Sequence, residues 1–344
     1  MVYFTSDLHL GHANYNVFGL RGFSSVGQMD ETLIERWNAR VGKADTVYIL
    51  GDLIFENNGE PLSYLSRLNG RKRLIVGNHD VKWLKTLGMA EVSADGTVAF
   101  CNYSEYFDEI AQYMERKIGG TVVTLCHYPM YEWKNSRKFG SVKKLGFCIH
   151  GHIHNRTDDF FTPILKLPHA LNAGVDINGL APATFDELVI NNEAFKLQSL
   201  ADPLDRAEYI GAKYHMYRTD KAGKPYIAHL RAVAARLDGK TEKCVAFLHD
   251  VLEDTDIDEK LLADNFSHEI VSAVKAMTHE AQVDYFDYIE NISHNPIATK
   301  VKLADLKHNM DLSRLKTVTD ADIARVEKYK KAYDILLKRS SGAD

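Results

Sequence analysis

Short apolar runs alternate with amphipathic segments through the first part of the chain. Strands are predicted at Val2–Phe4, Thr46–Leu50, Arg73–Val76, Thr121–Cys126 and Phe147–His150. Two segments between them, Asp30–Arg40 and Leu62–Leu68, have the spacing of apolar residues that is typical of helices, and Asp30 is the expected cap of the first. Residues 1 to about 190 therefore predict a layered α/β domain with a mixed β-sheet and flanking helices.

Three segments near the end of this region are also assigned from their pattern. Tyr103–Arg116 is predicted to be helical, whereas Leu171–Ile177 and Phe185–Ile190 are predicted to be β-strands that close the unit. The stretch Asn191–Pro203 has little periodicity and ends at a proline, so a linker is expected at residues 193–204. The predicted first domain is thus 1–192.

From residue 205 the apolar positions recur with a helical period almost to the end of the chain. Helices are predicted at 205–218, 226–237, 241–252, 258–278, 283–293, 296–315 and 320–339. The region 205–344 is therefore predicted to be an all-α domain.

The composition agrees with two ordinary globular domains: the 344 residues are 45% apolar and 26% charged. A net charge of −5 gives no overall nucleic-acid signature, and no run reaches the length of a membrane span. The four scattered cysteines argue against a disulfide framework or a cysteine–zinc site, and the first strand leaves no room for a signal peptide. These features favour a cytoplasmic location, and oligomeric state is left open.

Polar residues follow each of the five apolar runs where the predicted strand ends. They are Asp7 and His9, then Asp52, then Asn78–His79–Asp80, then His127, and finally His152 and His154. Side chains alternate along a strand, so Asp7 and His9 point the same way. This mixture of oxygen and imidazole ligands suits Mn²⁺, Fe²⁺/³⁺ or Zn²⁺ better than Mg²⁺ alone.

The order D-x-H, G-D, G-N-H-D, H and G-H-x-H resembles the calcineurin-like metallophosphoesterases over residues 1–190. The resemblance implies that Asp7, His9 and His154 hold one metal, that Asn78, His127 and His152 hold another, and that Asp52 bridges them. It further implies that water activated by two cations attacks phosphorus, with His79 as general acid and Asp80 orienting its imidazole. His12, Asn14 and Arg21 are candidate substrate-binding residues, although a loop or surface role is equally compatible with Asn14 and Arg21.

A second constellation lies among the predicted helices: His229, His249–Asp250 and Asp305. With its flanking stretches GKPYIAH, FLHDVLEDT and KLADLKHNM, it resembles the HD-domain phosphohydrolases and, within them, the (p)ppGpp hydrolase domain of RelA/SpoT homologues. The resemblance implies one metal, usually Mn²⁺, on these four residues. It also implies that Glu253 and Asp254 handle the attacking water, and that Arg218, Lys221 and Asn309 contact the nucleotide.

Three residues depart from that family's pattern: Leu230, Leu306 and Asp311. The metal site is therefore better supported than guanosine specificity. The resulting hypothesis is a bifunctional metal-dependent phosphoric ester hydrolase. Its first domain would be a dinuclear phosphomonoesterase or phosphodiesterase, and its second would remove pyrophosphate from the 3′ side of a (p)ppGpp-like nucleotide.

Two alternatives remain open at this point. In one, the substrates are RNA ends or 2′,3′-cyclic phosphates, which the basic segment Lys134–Lys144 would help to bind. In the other, one domain senses a nucleotide and regulates the other domain without catalysing a reaction. All three hypotheses name small phosphorylated molecules or RNA ends as partners, and none involves a membrane.

Overall fold

The computed structural model describes residues 1–55, 61–141 and 144–340, which form two compact units. The first unit is built from residues 1–137, 146–165 and 169–199, and the second from residues 138–145, 166–168 and 200 onward. The fold class predicted from the sequence is confirmed: an α/β unit precedes a helical one. No helix of the described residues combines the length and apolar character needed to cross a membrane.

The strands of the first unit form two four-stranded sheets and one hairpin. They are β1 Val2–Thr5, β2 Thr46–Ile49, β3 Arg71–Ile75, β4 Ala90–Val92, β5 Val98–Phe100, β6 Glu109–Ala111, β7 Tyr113–Ile118, β8 Thr121–Cys126, β9 Gly146–His150 and β10 Ala170–Asn172. The first sheet has the order β1-β2-β3-β6 and is parallel throughout. The second has the order β10-β9-β8-β7, in which only β7 runs antiparallel to its neighbour.

This topology explains why the polar residues meet. In a parallel sheet the carboxyl ends of the strands lie at the same edge, so the segments after β1, β2 and β3 emerge side by side. The same holds for the segments after β8 and β9. The two edges are joined within the first unit, because the His152 backbone N–H donates to the Asp7 carboxylate at 3.0 Å.

The helices of the first unit pack apolar faces on these sheets. They are α1 Tyr15–Phe18, α2 Val26–Arg40, α3 Pro61–Leu65, α4 Asp80–Thr86, α5 Thr162–Leu165 and α6 Phe185–Ser199, with a 3₁₀ turn at Val175–Ile177. In α2, Met29, Leu33 and Trp37 are fully buried at helical spacing. Ser25, rather than Asp30, caps this helix. Asp30 is buried inside it and accepts from the Gly11 N–H at 3.1 Å.

The second unit is a bundle of short helices. They are α7 Pro203–Tyr214, α8 Tyr226–Ala234, α9 Lys240–Leu248, α10 Val251–Asp254, α11 Glu259–Asn265, α12 His268–Met277, α13 Tyr285–Ser293, α14 Pro296–Asn309 and α15 Asp320–Ser340, with a 3₁₀ turn at Leu312–Arg314. Asp202, Asp284 and Asn295 cap α7, α13 and α14 through their side-chain oxygens. Close packing inside the bundle requires Gly211, where an added Cβ would lie 2.5 Å from the Phe247 carbonyl oxygen.

Several sequence-based assignments were wrong. Tyr103–Arg116 contains β6 and most of β7 instead of a helix, because six residues of β7 pair with β8 and complete the second sheet. Phe185–Ile190 is the start of α6 instead of a strand, and that helix continues to Ser199 through most of the predicted linker. Burial of Leu188 and Asn192, four residues apart, holds the segment helical.

Two predicted helices are each divided in the structure. The predicted 258–278 helix breaks at Phe266–Ser267, and the predicted 241–252 helix breaks at His249–Asp250. Asp250 has φ −105° and ψ 0°, so the pair lies at a turn and not within continuous helix. This turn therefore sets the directions of the two side chains.

Candidate metal centres

Two groups of side chains converge at the strand ends of the first unit. Asp7, His9 and His154 form one group, and Asp52, His127 and His152 form the other. Within each group the ligand atoms lie within 4.8 Å of one another, which is close enough to share a cation. They come from the ends of β1, β2, β8 and β9.

Backbone strain is concentrated at these positions. Seven described residues other than glycine have a positive φ, and five belong to the two groups: Asp7 (56°), His9 (53°), Asp52 (52°), His152 (72°) and His154 (50°). Such conformations are costly for residues with a side chain and persist where the surroundings enforce them, often at functional sites. The left-handed turns aim these side chains beyond the sheet edge.

Two glycines permit the close approach of the segments. A Cβ on Gly77 would lie 2.3 Å from Asp52 Oδ1, and a Cβ on Gly151 would lie 1.8 Å from Ser6 Oγ. Neither position has room for any other residue without displacing a neighbour. The glycines of the G-N-H-D and G-H-x-H motifs are thus partly explained by packing against the opposite loops.

Asp52 is central to the first unit's site. Its Oδ2 lies 3.8 Å from His9 Nε2 in one group and 3.5 Å from His127 Nε2 in the other. Asn78 joins the second group, because its Oδ1 lies 3.0 Å from His127 Nε2 and 3.1 Å from His152 Nδ1. His79 stands at the rim, with Nε2 4.0 Å from Asp52 Oδ2 and its side chain 40% exposed.

His9 provides a direct test of whether these residues fit a metal. It is only 3% exposed, and among the described residues neither ring nitrogen has a hydrogen-bond partner. Buried polar atoms without partners are rare in proteins. Burial lowers the pKa of His9 well below its ordinary value, so the ring is neutral and has a lone pair to offer. The donor set and this orphaned imidazole fit a bound cation.

Asp176 is a residue of this site that the sequence reasoning missed. Its Oδ2 accepts from His154 Nδ1 at 2.7 Å, which directs His154 Nε2 towards Asp7. Burial lowers the pKa of His154, but the hydrogen bond to Asp176 and the charges of Asp7 and Asp176 together outweigh this effect and raise the pKa. Asp176 lies in the segment Leu171–Ile177, which was predicted from its pattern only as a strand.

Arg21 explains how Asp176 is held, and it corrects an expectation. Its guanidinium forms a salt bridge with Asp176 at 2.7 Å and donates to the Asp7 and Leu8 carbonyls at 2.6 and 2.8 Å. With its side chain 5% exposed, Arg21 is not available to contact a substrate. Its role is to support Asp176 and the turn at Asp7.

Asp80 also differs from expectation, because its carboxylate does not contact the His79 imidazole. It accepts from Asp52 N and Gly77 N at 2.8 Å, from Leu53 N at 3.0 Å and from Trp83 Nε1 at 2.9 Å. Asp80 is fully buried and fastens the loops after β2 and β3 to each other.

The remaining two candidates differ in their placement. His12 stacks on Phe55 with the ring centroids 3.6 Å apart, and it lies 6.5 Å from the His79 ring, at the rim of the site. Asn14 is exposed and caps α1 by accepting from Asn16 N at 2.9 Å. The structure therefore brings His12 to the site and gives Asn14 a local structural role.

A third convergent group lies in the second unit. His229 comes from α8, Asp305 from α14, and His249 and Asp250 from the turn between α9 and α10. His229 Nε2 is 3.4 Å from Asp305 Oδ1 and 3.8 Å from Asp250 Oδ2, and His249 Nε2 is 2.8 Å from Asp250 Oδ2. All four residues predicted as ligands are thus brought together.

The electrostatics of this group follow from two carboxylates in a buried place. Burial disfavours the cationic form of His249, but Asp250 and Asp305 outweigh it and raise its pKa to about 9. Lys302, which the sequence reasoning missed, lies with Nζ 3.1 Å from Asp305 Oδ2. Burial opposes its charge, yet Asp305, Tyr288, Asp250 and Tyr285 together hold the pKa of Lys302 well above its ordinary value. Cations therefore compensate for the two carboxylates, a role that a metal ion would share.

A cavity of about 420 Å³ opens over these ligands and is lined by several of the predicted residues: Lys221, Glu253, Asp254 and Asn309. Asn309 donates to Asp305 Oδ1 at 2.6 Å, and Glu253 accepts from the His279 N–H at 3.0 Å. Arg218, exposed outside this lining, pairs with Asp254 at 3.0 Å. The volume is in the range of small-molecule sites.

Comparison with known proteins places the first unit. Residues 1–156 match the family model of the calcineurin-like phosphoesterases. The chain is 30% identical over 190 residues to the uncharacterized protein MJ1445 of Methanocaldococcus jannaschii. This match covers 55% of the chain and 89% of MJ1445. The chain belongs to the calcineurin-like phosphoesterase family. It is a metal-dependent phosphoric ester hydrolase.

Two further relatives cover different parts of this phosphoesterase. The gene 66 protein of Mycobacterium phage L5 is 32% identical over 168 residues, 44% of this chain and 77% of that protein. A probable guanosine-3′,5′-bis(diphosphate) 3′-pyrophosphohydrolase of Synechocystis is 37% identical over 111 residues. That match spans 28% of this chain but only 15% of the Synechocystis protein, which is accordingly much larger than the shared region. The expected resemblance to the RelA/SpoT-type hydrolases is confirmed.

Proposed function

We propose that this phosphoesterase is a bifunctional enzyme with one hydrolytic centre in each unit. The observation behind the proposal is that both ligand sets converge with every predicted metal ligand in place. A centre that had lost its chemistry would be under no constraint to keep its carboxylates and imidazoles aimed at one point.

In the first unit, Asp7, His9 and His154 would hold one cation, Asn78, His127 and His152 a second, and Asp52 would bridge them. Mn²⁺, Fe²⁺/³⁺ or Zn²⁺ suits this donor set. When bound, the cations supply an activated water and stabilise charge on the phosphoryl oxygens. His79, exposed at the rim 4.0 Å from Asp52, is placed to donate a proton to the leaving oxygen. The substrate is a phosphomonoester or phosphodiester.

In the second unit, His229, His249, Asp250 and Asp305 would hold one cation. By analogy with the RelA/SpoT-type hydrolases, we propose that this cation is Mn²⁺. Glu253 and Asp254 line the cavity beside them and would orient and deprotonate water. The activity for which the Synechocystis relative is named, together with the shared motifs, supports a (p)ppGpp-like substrate that loses its 3′ pyrophosphate. Lys221 lines the same cavity and can contact phosphate. Asn309 would act through its bond to Asp305.

Substrate identity is open where the chain departs from the resembled family. Leu230 and Leu306 are 0% and 1% exposed and belong to the helical core, whereas Asp311 caps the 3₁₀ turn at Leu312–Arg314. Leu230 therefore contributes packing, whereas Leu306 and Asp311 also line the cavity and give it an apolar and an acidic side chain where the chain departs from that family. We therefore propose that the substrate of the second centre is a nucleotide with a 3′ pyrophosphate, without specifying the base.

The two alternatives receive less support from the described residues. Within the basic segment, Lys134 pairs with Glu115 and Arg137 with Glu132 at 2.8 Å, which reduces the charge offered to RNA; Val142 and Lys143 lie outside the described residues. A purely regulatory unit would not need a complete ligand set. Strong dependence of substrate binding on salt would favour the RNA alternative.

The test is release of phosphate and pyrophosphate from ppGpp in Mn²⁺, using the wild type, Asp52→Ala and Asp250→Ala. We expect pyrophosphate release to be lost only in Asp250→Ala. Hydrolysis of a generic diester, bis(p-nitrophenyl) phosphate, should be lost only in Asp52→Ala. Asp186→Ala and Asp256→Ala, which remove exposed carboxylates from the same two units, serve as matched controls.

Three outcomes would contradict parts of the proposal. If ppGpp and other 3′-pyrophosphorylated nucleotides are all untouched, the second centre has another substrate. If Asp250→Ala changes only the first centre's activity, the second unit is regulatory. A further hypothesis, that one centre trims the other's product, fails if the phosphorylated product of either reaction is not a substrate of the other.

A further inference from the structure

The second centre contains a hydrogen bond that fixes a proton. His229 Nδ1 and His308 Nδ1 lie 2.7 Å apart, and both residues are buried, at 4% and 6% exposed. Two ring nitrogens at that distance need one donor and one acceptor, so only one of them carries a hydrogen. Which one carries it decides the tautomer of His229.

Arg314 settles the assignment. Its Nη1 lies 3.1 Å from the same His308 Nδ1 and donates to the His308 carbonyl oxygen at 3.0 Å. A guanidinium has donors only, so His308 Nδ1 must be the acceptor. The hydrogen of the 2.7 Å contact therefore belongs to His229 Nδ1. If His308 Nδ1 carried a hydrogen, that N–H and the N–H of Arg314 Nη1 would be two donors facing each other with no acceptor between them.

Asp220 holds the guanidinium in place. It forms an ion pair with Arg314, and the two side chains are only 7% and 17% exposed. Asp220 lies in the segment before α8, and Arg314 lies in the 3₁₀ turn after α14. The ion pair thus spans the segments that precede His229 and follow Asp305, and it fixes Arg314 where it can reach His308.

The consequence appears on the opposite side of the His229 ring. With hydrogen on Nδ1, His229 Nε2 keeps its lone pair, and this atom lies 3.4 Å from both Asp305 Oδ1 and His249 Nε2. We propose that His308, Arg314 and Asp220 are positioning residues that set the Nδ1–H tautomer of His229 and so prepare Nε2 to bind the metal. None of the three needs to touch the metal. The inference rests on the proposed function of this centre.

The first measurement is direct and does not depend on catalysis. Long-range ¹H–¹⁵N correlation spectra of the metal-free, ¹⁵N-histidine-labelled full chain report which ring nitrogen carries hydrogen. The His229 signals are assigned with His229→Gln. We expect the Nδ1–H form in the wild type and in His308→Gln, whose amide oxygen can accept the same bond. Mixed tautomers are expected in His308→Leu and Arg314→Met. A wild-type His229 in the Nε2–H form overturns the inference.

The second measurement is the affinity for Mn²⁺, followed by the electron paramagnetic resonance signal of the free ion. Binding to the second centre is the component that Asp250→Ala removes. Residues that orient a metal-binding histidine typically contribute about 10- to 100-fold in affinity, so His308→Leu and Arg314→Met should weaken this component by that factor. The Mn²⁺ affinity of His308→Gln should lie within about threefold of the wild-type value, because the glutamine amide oxygen can accept the same hydrogen bond. A role for His308 in filling volume alone would not predict this difference between the glutamine and leucine variants.

The two failures are distinguishable. If Asp250→Ala removes no component of Mn²⁺ binding, the proposed metal centre itself is wrong. If Asp250→Ala removes one but His308→Leu leaves it unchanged, the centre stands and the positioning role fails. Circular dichroism melting of each variant checks the fold. If His308→Leu is unfolded, Arg314→Met decides the matter from a partly exposed position.

Discussion

Asp80 offers the sharpest test of how the first unit's site is held together. Its carboxylate accepts four hydrogen bonds, two at each oxygen: from Asp52 N and Gly77 N at Oδ2, and from Leu53 N and Trp83 Nε1 at Oδ1. An Asp80→Asn substitution keeps the shape but turns one oxygen into an amide nitrogen. Two of the four donors then face another donor in a fully buried place.

The expected loss follows from those two bonds. Leaving a buried donor unsatisfied costs about 1–3 kcal/mol, so Asp80→Asn should lower the free energy of unfolding by about 2–6 kcal/mol. With a urea m-value of about 2 kcal/mol/M, the midpoint would fall by about 1–3 M. Diester hydrolysis should fall as well, because the loops that carry Asp52 and Asn78 are no longer fastened.

Tryptophan fluorescence makes the assay specific to one unit. The three tryptophans, Trp37, Trp83 and Trp133, all lie in the first unit, so urea unfolding followed at their emission reports that unit alone. Asp108→Asn is the matched control, because Asp108 is exposed and its ion pair with Arg71 is of the kind worth about 1 kcal/mol or less. The reasoning would be refuted if Asp80→Asn had the same urea midpoint as Asp108→Asn. If the Asp80→Asn variant also lost one limb of the pH–rate profile of diester hydrolysis, Asp80 would again be the expected partner of His79.

Three further predictions concern the first unit. His79→Asn should lower kcat about 10²- to 10⁴-fold for alkyl phosphodiesters and far less for p-nitrophenyl esters, whose leaving group needs no proton, with an unchanged urea midpoint; equal losses for both ester types would exclude a general acid. Gly77→Ala should abolish diester hydrolysis, because its Cβ would lie 2.3 Å from Asp52 Oδ1, whereas Gly27→Ala, at an exposed position of α2 with open space around it, should not. Burial lowers the pKa of His169 from 6.5 to about 4, so the unfolded chain binds a proton that the folded chain refuses; stability should fall by about 3 kcal/mol as pH drops from 6.5 to 4, and His169→Gln should flatten that slope in the fluorescence assay.

The positions of the first unit's metal ligands could be predicted from the sequence because each ligand lies directly after a strand. The first unit's ligands follow β1, β2, β3, β8 and β9 directly, so predicting those strands was enough to predict where the ligands would gather. The same reasoning found the four candidates of the second unit, although it placed His249 and Asp250 within a helix and not at its end. The turn there depends on packing that no periodicity shows.

Residue roles beyond the ligands depended on partners that are distant in sequence. Arg21 and Asp176 are 155 residues apart, and His229 and His308 are 79 apart, so only the folded chain shows that they bond. Likewise, Asp80 is adjacent to His79 in the sequence, yet its carboxylate accepts a hydrogen bond from the backbone of the loop after β2. Tertiary packing also decided the secondary structure of two segments against the sequence pattern: β6 and β7 are strands where a helix was predicted, and α6 is a helix where a strand was predicted.

The sequence by itself determined which atoms are available to bind metal and the order in which the strands and helices present them, because both depend on residue type and short spacing. Only the tertiary structure decided which polar groups support those ligands. Hydrogen bonds and buried ion pairs form wherever the fold brings donors and acceptors within about 3 Å, and that proximity is set by the packing of the whole chain.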